Sequence, residues 1–199
     1  MDFYKTISRA ENAEFKDRGS RFLAYAFPVA TPELFKERLQ ELKKEHAKAS
    51  HHCFAYRMGT NGNQYRVSDD GEPSGTAGRP ILGQIDSRGL TNTAIVVVRY
   101  FGGTLLGVPG LINAYKTAAM LALQVAPVVE MPIEVPYVIT CTYQEMNEVL
   151  RIVKMCGGSI LQNEQSLFCR FTVGLPKNRA AETVQMLEKI FRVEIIPLK

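Results

Sequence analysis

Three prolines fall within ten residues of this 199-residue chain, in the run Pro127-Val128-Val129-Glu130-Met131-Pro132-Ile133-Glu134-Val135-Pro136. Proline has no backbone N–H and a fixed φ, so it cannot continue a helix and fits poorly in a central strand. The run therefore predicts a junction between two domains, 1–131 and 136–199. A chain of this length suits one large or two small domains. With 46% hydrophobic residues, both halves have the material for a core.

Beyond the junction the periodicities alternate cleanly. Tyr137 to Tyr143 is rich in β-branched residues at period two and reads as a strand. Gln144 to Cys156 carries Met146, Val149, Leu150 and Val153 at helical spacing, and Gly157-Gly158 stops it. Ser159 to Glu164 and Ser166 to Val173 read as a hairpin. Lys177 to Lys189 is a second helix with Ala180, Ala181, Val184 and Leu187 inward, and Phe191 to Ile196 a last strand. The order βαββαβ is the ferredoxin-like arrangement, with two helices on one sheet face and the other face open to RNA or protein contact.

The first segment reads as α+β. Phe22 to Val29 is a strand. Thr31 caps a helix opened by Pro32, which buries Leu34, Phe35, Leu39 and Leu42. Its outer stripes, Glu33, Glu37, Glu41 and Glu45 beside Lys36, Gln40, Lys44 and Lys48, nearly cancel and read as a solvated face. His51 to Met58 and Gln64 to Val67 flank the turn Thr60-Asn61-Gly62-Asn63. A glycine-containing helix follows Asp69, Ala94 to Tyr100 is a buried strand, and Pro109 to Ala126 is a long helix with Leu111, Ile112, Tyr115, Ala118, Ala119, Ala122 and Leu123 inward.

Several function classes are excluded. The charged first twenty residues hold no signal-peptide core. The most apolar stretch, Ala118 to Val129, is interrupted by Gln124 and Pro127 and is too short for a membrane span. The four cysteines, Cys53, Cys141, Cys156 and Cys169, form no C-x-x-C pair, so neither a zinc knuckle nor a redox motif is expected, and reduced cytoplasmic thiols are. A net charge of +4 permits contact with an RNA backbone without demanding it.

Two runs have the residues for a site. Asp69-Asp70-Gly71-Glu72-Pro73-Ser74-Gly75-Thr76-Ala77-Gly78-Arg79-Pro80 interleaves carboxylates, hydroxyls and glycines. Gly71, Gly75 and Gly78 permit close backbone approach, and Pro73 suits a helix start with free amides. Three carboxylates would repel a phosphate unless a metal or Arg79 intervened. No Gly-Lys pair makes it a Walker loop. The second run, Arg99-Tyr100-Phe101-Gly102-Gly103, ends a hydrophobic strand. Arginine with flanking aromatics suits base stacking and phosphate contact, or Arg99 pairs with Asp69 or Asp70 and ties the runs together. Gly107 to Lys116 is similar to the phosphate loop of GHMP kinases but lacks its paired serines, and Ile112 is bulky. His51 and Cys53 fall on one strand face and His52 on the other; a metal or a Cys-His nucleophile there competes with ordinary buried cysteine and bonded histidine.

These runs, with Ser20-Arg21-Phe22, Ser50-His51-His52-Cys53-Phe54-Ala55-Tyr56 and Gly89 through Gly107, resemble the YigZ/Impact family over about residues 15–130. Where that family has Gly-Gly-Leu, this chain has Pro109-Gly110-Leu111, which stiffens the helix start. The resemblance implies a first domain with the fold shared by GHMP kinases and domain IV of elongation factor G, and a second like domain V of that factor. Eukaryotic relatives regulate translation through protein partners, and no catalytic residue is carried over. The expectation is thus a cytoplasmic, non-enzymatic, translation-associated regulator that binds RNA, the ribosome or a ribosome-associated protein, with no catalytic residue, metal, cofactor or membrane. Its binding residues would be Arg79, Arg99, Tyr100, Gly102, Gly103, Asp69, Asp70, Glu72, Ser74, Gly75, Thr76 and Gly78. The alternative is a small hydrolase or metal-dependent enzyme using Asp69, Asp70, Glu72, His52 and Cys53.

Overall fold

A computed structural model describes residues 2–198, which mix helix and strand throughout. The chain divides into two compact units, Tyr4–Met131 and Pro132–Lys199 with Met1–Phe3. Among the described residues no helix is long and apolar enough to cross a membrane.

The larger unit is built on an antiparallel sheet of β2 (Glu11–Asp17), β3 (Ser20–Pro28), β4 (His51–Met58), β5 (Gln64–Ser68) and β6 (Thr93–Tyr100), ordered β2-β3-β6-β4-β5. The central strand β6 is buried almost throughout because helices cover both faces. Such a strand loses its polar alternation, hence the unbroken Ile95-Val96-Val97-Val98. One face packs Phe22, Ala24, Cys53, Ala55, Ile95 and Val97 against α2 (Gly78–Ser87) and α3 (Gly107–Val125). The other packs Phe54, Tyr56, Met58, Val96 and Val98 against α1 (Pro32–Glu45).

Thr31 caps α1 as its sequence predicts, its Oγ1 accepting from the Leu34 amide at 3.3 Å. The inward stripe is narrower than expected. Phe35 and Leu42 are buried and Leu39 partly so, but Leu34 is 53% exposed, since a helix lying over a sheet covers only one stripe. Ile112 on α3, also expected inward, stands partly in solvent. The charged N-terminal residues, in which no strand was foreseen, form β1 (Phe3–Ile7) and the edge strand β2. In β2 only Ala13 and Phe15 pack on the core, so charge on the outer face masks the pattern.

Strands run through the proline-rich segment itself: β7 (Val128–Pro132), which pairs with β1, and β8 (Glu134–Cys141). Pro136 thus lies inside a central strand, contrary to expectation. Its carbonyl accepts from the Leu198 amide, so its nitrogen faces the same side, just past the paired end of β11 (Glu194–Pro197), where no ladder donor is required.

In the smaller unit β8, α4 (Met146–Met155), β9 (Ser159–Gln165), β10 (Cys169–Pro176), α5 (Ala180–Glu188) and β11 follow one another as βαββαβ. The antiparallel sheet is ordered β11-β8-β10-β9. Ile139, Val149, Val153, Phe171, Val173 and Leu187 form its core. On α5, Thr183 takes the buried place expected of Ala181. Its hydroxyl donates to the Arg179 carbonyl one turn back, and Ala181 is exposed.

Candidate functional site

The loop after β5 is organised around Asp69. Its Oδ1 accepts from the amides of Ala77 (3.0 Å) and Gly78 (2.8 Å), and its Oδ2 from Gly75 (2.8 Å). Burial works against the charged carboxylate, but these amides and Arg79 outweigh it and hold the group below its ordinary value. The residue preceding α2, Ala77, has no side chain to cap it. Asp69 does so from eight residues away. Gly78 is required by packing, since a Cβ there would lie 2.8 Å from the Ser68 nitrogen. Thr76 is buried, its hydroxyl donating to the Pro73 carbonyl at 2.7 Å.

Arg99 and Glu72 join the two runs. Arg99 is 5% exposed, and its Nη1 donates to Glu72 Oε1 at 2.6 Å. The Tyr115 hydroxyl, from α3, donates to the same oxygen at 2.8 Å. Ser20 Oγ receives Arg99 Nη2 at 3.3 Å and the Gly102 amide at 3.2 Å. The guanidinium lies over the rings of Phe22 and Phe101, 5.4 and 5.6 Å from their centroids. Its Nε is buried without a partner. The carboxylate that Arg99 meets is therefore Glu72, not Asp69 or Asp70. Gly102 makes the close approach possible: a Cβ there would lie 1.9 Å from the Gly19 carbonyl carbon. Gly103, with φ of 83°, turns the chain away from the strand.

The histidines and Cys53 surround this network without completing a reactive pair. The Cys53 sulfur lies 2.9 Å from the Asp69 carbonyl oxygen and 3.3 Å from the Tyr115 hydroxyl. Burial pushes this thiol far above its ordinary value, only partly offset by Tyr115. The Asp70 carboxylate accepts from the His52 amide at 2.6 Å and lies 3.8 Å from Lys43. Burial holds the His52 imidazole below its ordinary value, opposed by Asp70 and reinforced by Lys43 and His46. His51 Nδ1 sits 2.8 Å from the Asp70 carbonyl, which can only accept, so Nδ1 carries the proton and Nε2 lies 3.8 Å from Glu72. Asp69, Asp70, Glu72, His52 and Cys53, grouped by sequence as an alternative catalytic set, do lie near one another, but the hydrogen-bond partners of the Cys53 sulfur are the Asp69 carbonyl and the Tyr115 hydroxyl rather than an imidazole. Among the described residues no three His, Cys, Asp or Glu side chains come together as a metal-ligand set.

Tyr100 does not join Arg99. Neighbours on a strand point to opposite faces, and the Tyr100 hydroxyl pairs with His46 Nδ1 at 2.8 Å under α1, where His46 Nε2 meets Tyr25 at 2.7 Å. Arg79 and Ser74 are exposed and contribute nothing to the buried network.

What the two runs enclose is a cleft of about 500 Å³. Glu72, Arg99 and His51 lie along it, with walls from Pro73, Phe101, Leu105, Leu106, Val108 and Leu111. Leu105 is 83% exposed, and Phe101 and Val108 about half so. The start of α3 forms one side, with no side-chain cap and no acidic residue in its first turn. Tyr115, Ser20 and Leu105 were missed as site residues. Tyr115 carried a signal, a hydroxyl on an otherwise apolar helix face, whereas Leu105 carried none.

An antiparallel sheet sheathed by helices thus carries a buried ion pair beside a solvent-open apolar cleft. The Impact N-terminal domain family model matches residues 18–123, from just before β3 to near the end of α3, and encloses every residue of the cleft. The chain belongs to the IMPACT family. IMPACT family member YigZ of Escherichia coli (strain K12) is 34% identical over 165 residues, 82% of this chain and 81% of its own. YvyE of Bacillus subtilis (strain 168) is 42% identical over 64% of this chain and 58% of its own. Protein IMPACT of Mus musculus is 36% identical over 49% of this chain but only 32% of that longer protein. A crystal structure described as that of a hypothetical protein superposes over 100% of this chain and 98% of its own, with a TM-score of 0.80 and 29% identity. The two-domain translational regulator Yih1 aligns with a TM-score of 0.37, too distant a likeness to argue from.

Proposed function

We propose that the chain is a non-enzymatic, translation-associated regulator that uses its cleft to engage a protein surface, on the ribosome or on a ribosome-associated protein, rather than bare RNA. One observation carries this reading. Arg99, the residue best suited by sequence to grip a phosphate, is spent on Glu72 inside the fold, while the apolar residues of the following segment, Phe101, Leu105 and Val108, stand exposed around an open cleft. Apolar surface grouped at a concave site marks protein contact. The link to translation rests on family membership and on the role of eukaryotic Impact proteins. In this reading the larger unit has the fold of GHMP kinases and domain IV of elongation factor G, and the smaller is ferredoxin-like. The hydrolase alternative is the weaker, because Cys53 is buried as a neutral thiol and Asp69 is consumed in capping α2.

Ribosome co-sedimentation across a salt series tests the proposal. The expected result is association that persists as salt rises, is lost in Leu105→Asp and is unchanged in Arg79→Ala. Association that collapses with salt and with Arg79→Ala would mean phosphate contact instead. No association even at low salt would defeat the translation reading.

A further inference from the structure

We infer that the cleft receives a tryptophan side chain of the partner, its indole N–H donated to Glu72 and its rings held by the apolar walls. The inference rests on the cleft being a protein-docking site and names the residue that enters it. The polar side chains of the lining offer acceptors. Glu72 is nine-tenths buried and lines the cleft, yet both of its hydrogen bonds, from Arg99 and Tyr115, fall on Oε1. Its Oε2 has no partner among the described residues and, unlike Arg99 Nε, is not sealed from solvent. His51 lines the same cleft with Nδ1 committed to the Asp70 carbonyl. The neutral ring therefore turns a bare Nε2 toward Glu72, 3.8 Å from Oε1. An open acceptor on a buried carboxylate is a place for a donor.

Charge and walls decide which donor fits. Glu72 is already matched by Arg99 at 2.6 Å, so an ammonium or guanidinium entering between apolar walls would lose its hydration for little Coulombic return. A neutral donor avoids that cost. The indole is a donor and nothing else, so it brings no lone pair that the walls would leave unpaired. Phe101, Leu105, Leu106, Val108 and Leu111 supply apolar cover for its rings, in a volume of about 500 Å³. Tryptophan is also among the side chains that most often anchor protein interfaces. The chain itself contains no tryptophan, so a second copy cannot supply it and the occupant belongs to a different protein.

The test is titration of the full chain with N-acetyl-tryptophanamide at about pH 8, above the ordinary imidazole value. With no tryptophan in the chain, indole fluorescence reports on the probe alone, and amide NMR locates it. The expected result is a saturable blue shift of the indole, with amide shifts at Phe101, Leu105 and Val108. The 1-methylindole analogue keeps the rings and loses the N–H, and should bind about fivefold or more weakly. N-acetyl-lysinamide, with its free ammonium, should not displace the probe. Leu105→Asp, at a residue 83% exposed, should lose binding while the amide spectrum stays dispersed. Equal binding of the methylated analogue, or displacement by the lysine derivative, would overturn the proposal while leaving the cleft a protein-docking site. Shifts confined to other regions, or no binding by the folded chain, would overturn it as well. Failure of ribosome association alone would strike only the translation reading.

Discussion

Glu72 is the residue on which the site depends. Its carboxylate is buried, bonded by Arg99 and Tyr115, and approached by His51. Breaking a buried pair from one side strands a charge, so Arg99→Met should cost about 3–5 kcal/mol in urea unfolding. Adding Glu72→Gln removes the stranded charge and keeps an acceptor for Tyr115, so the double variant should be more stable than Arg99→Met alone. His52 sets a pH dependence. Its folded value lies below the ordinary 6.5, held there by burial, so between those values the unfolded chain binds more protons. Stability from this group is complete above about pH 6.5 and declines as pH falls toward the folded value. His52→Gln should flatten that acid decline in unfolding measurements. The meeting of an acid from the first run with Arg99 was legible, because opposite charges flanked by glycines invite a tie. Which acid was not legible: Asp69, Asp70 and Glu72 fall within four residues, and the turn at Asp70 and Gly71, with φ of 42° and 89°, decides the matter. Arg99 and Tyr100 could have been separated from sequence by strand alternation alone, since a shared ligand would have to reach both faces of one strand.

At the scale of elements, α2 depends on a carboxylate outside itself. Asp69→Ala should leave the Ala77, Gly78 and Gly75 amides without their acceptor, cost roughly 1–3 kcal/mol, and speed hydrogen exchange over Gly78–Ser87 more than over Gly107–Val125. Equal protection of the two helices in the variant would refute the capping role. The helices whose start signals are local, such as α1 with Thr31 and Pro32, were readable from sequence. The start of α2 was not, because its cap is not adjacent. β1 and β2 escaped for another reason. On an edge strand the outer face is free to carry charge, and Glu14 and Lys16 there, with Glu11 and Asp17 at the ends of the inward face, obscure the inward Ala13 and Phe15.

On the scale of the whole molecule, the smaller unit holds its own core of Ile139, Val149, Phe171, Val173 and Leu187, and residues 132–199 alone should give a dispersed amide spectrum. A collapsed, random-coil spectrum would refute its independence. The element order of that unit was plain in its periodicities. The prolines were less so, because their harmlessness within β8 depends on where β11 ends. In the larger unit the strand at the centre of the sheet is the last of the five to be made. β3 and β4 must each wait for β6, and α3 follows β6 in turn. At about 5–20 residues per second, β3 stays unpaired on that side for on the order of several seconds of synthesis. Until then Phe22 and Ala24 of the nascent chain lack both the central strand and the later helix α3 that covers them. The residues before Thr93 are therefore no folding unit, and a ribosome stalled before β6 would hold a sticky, incomplete sheet for the chaperones to shield.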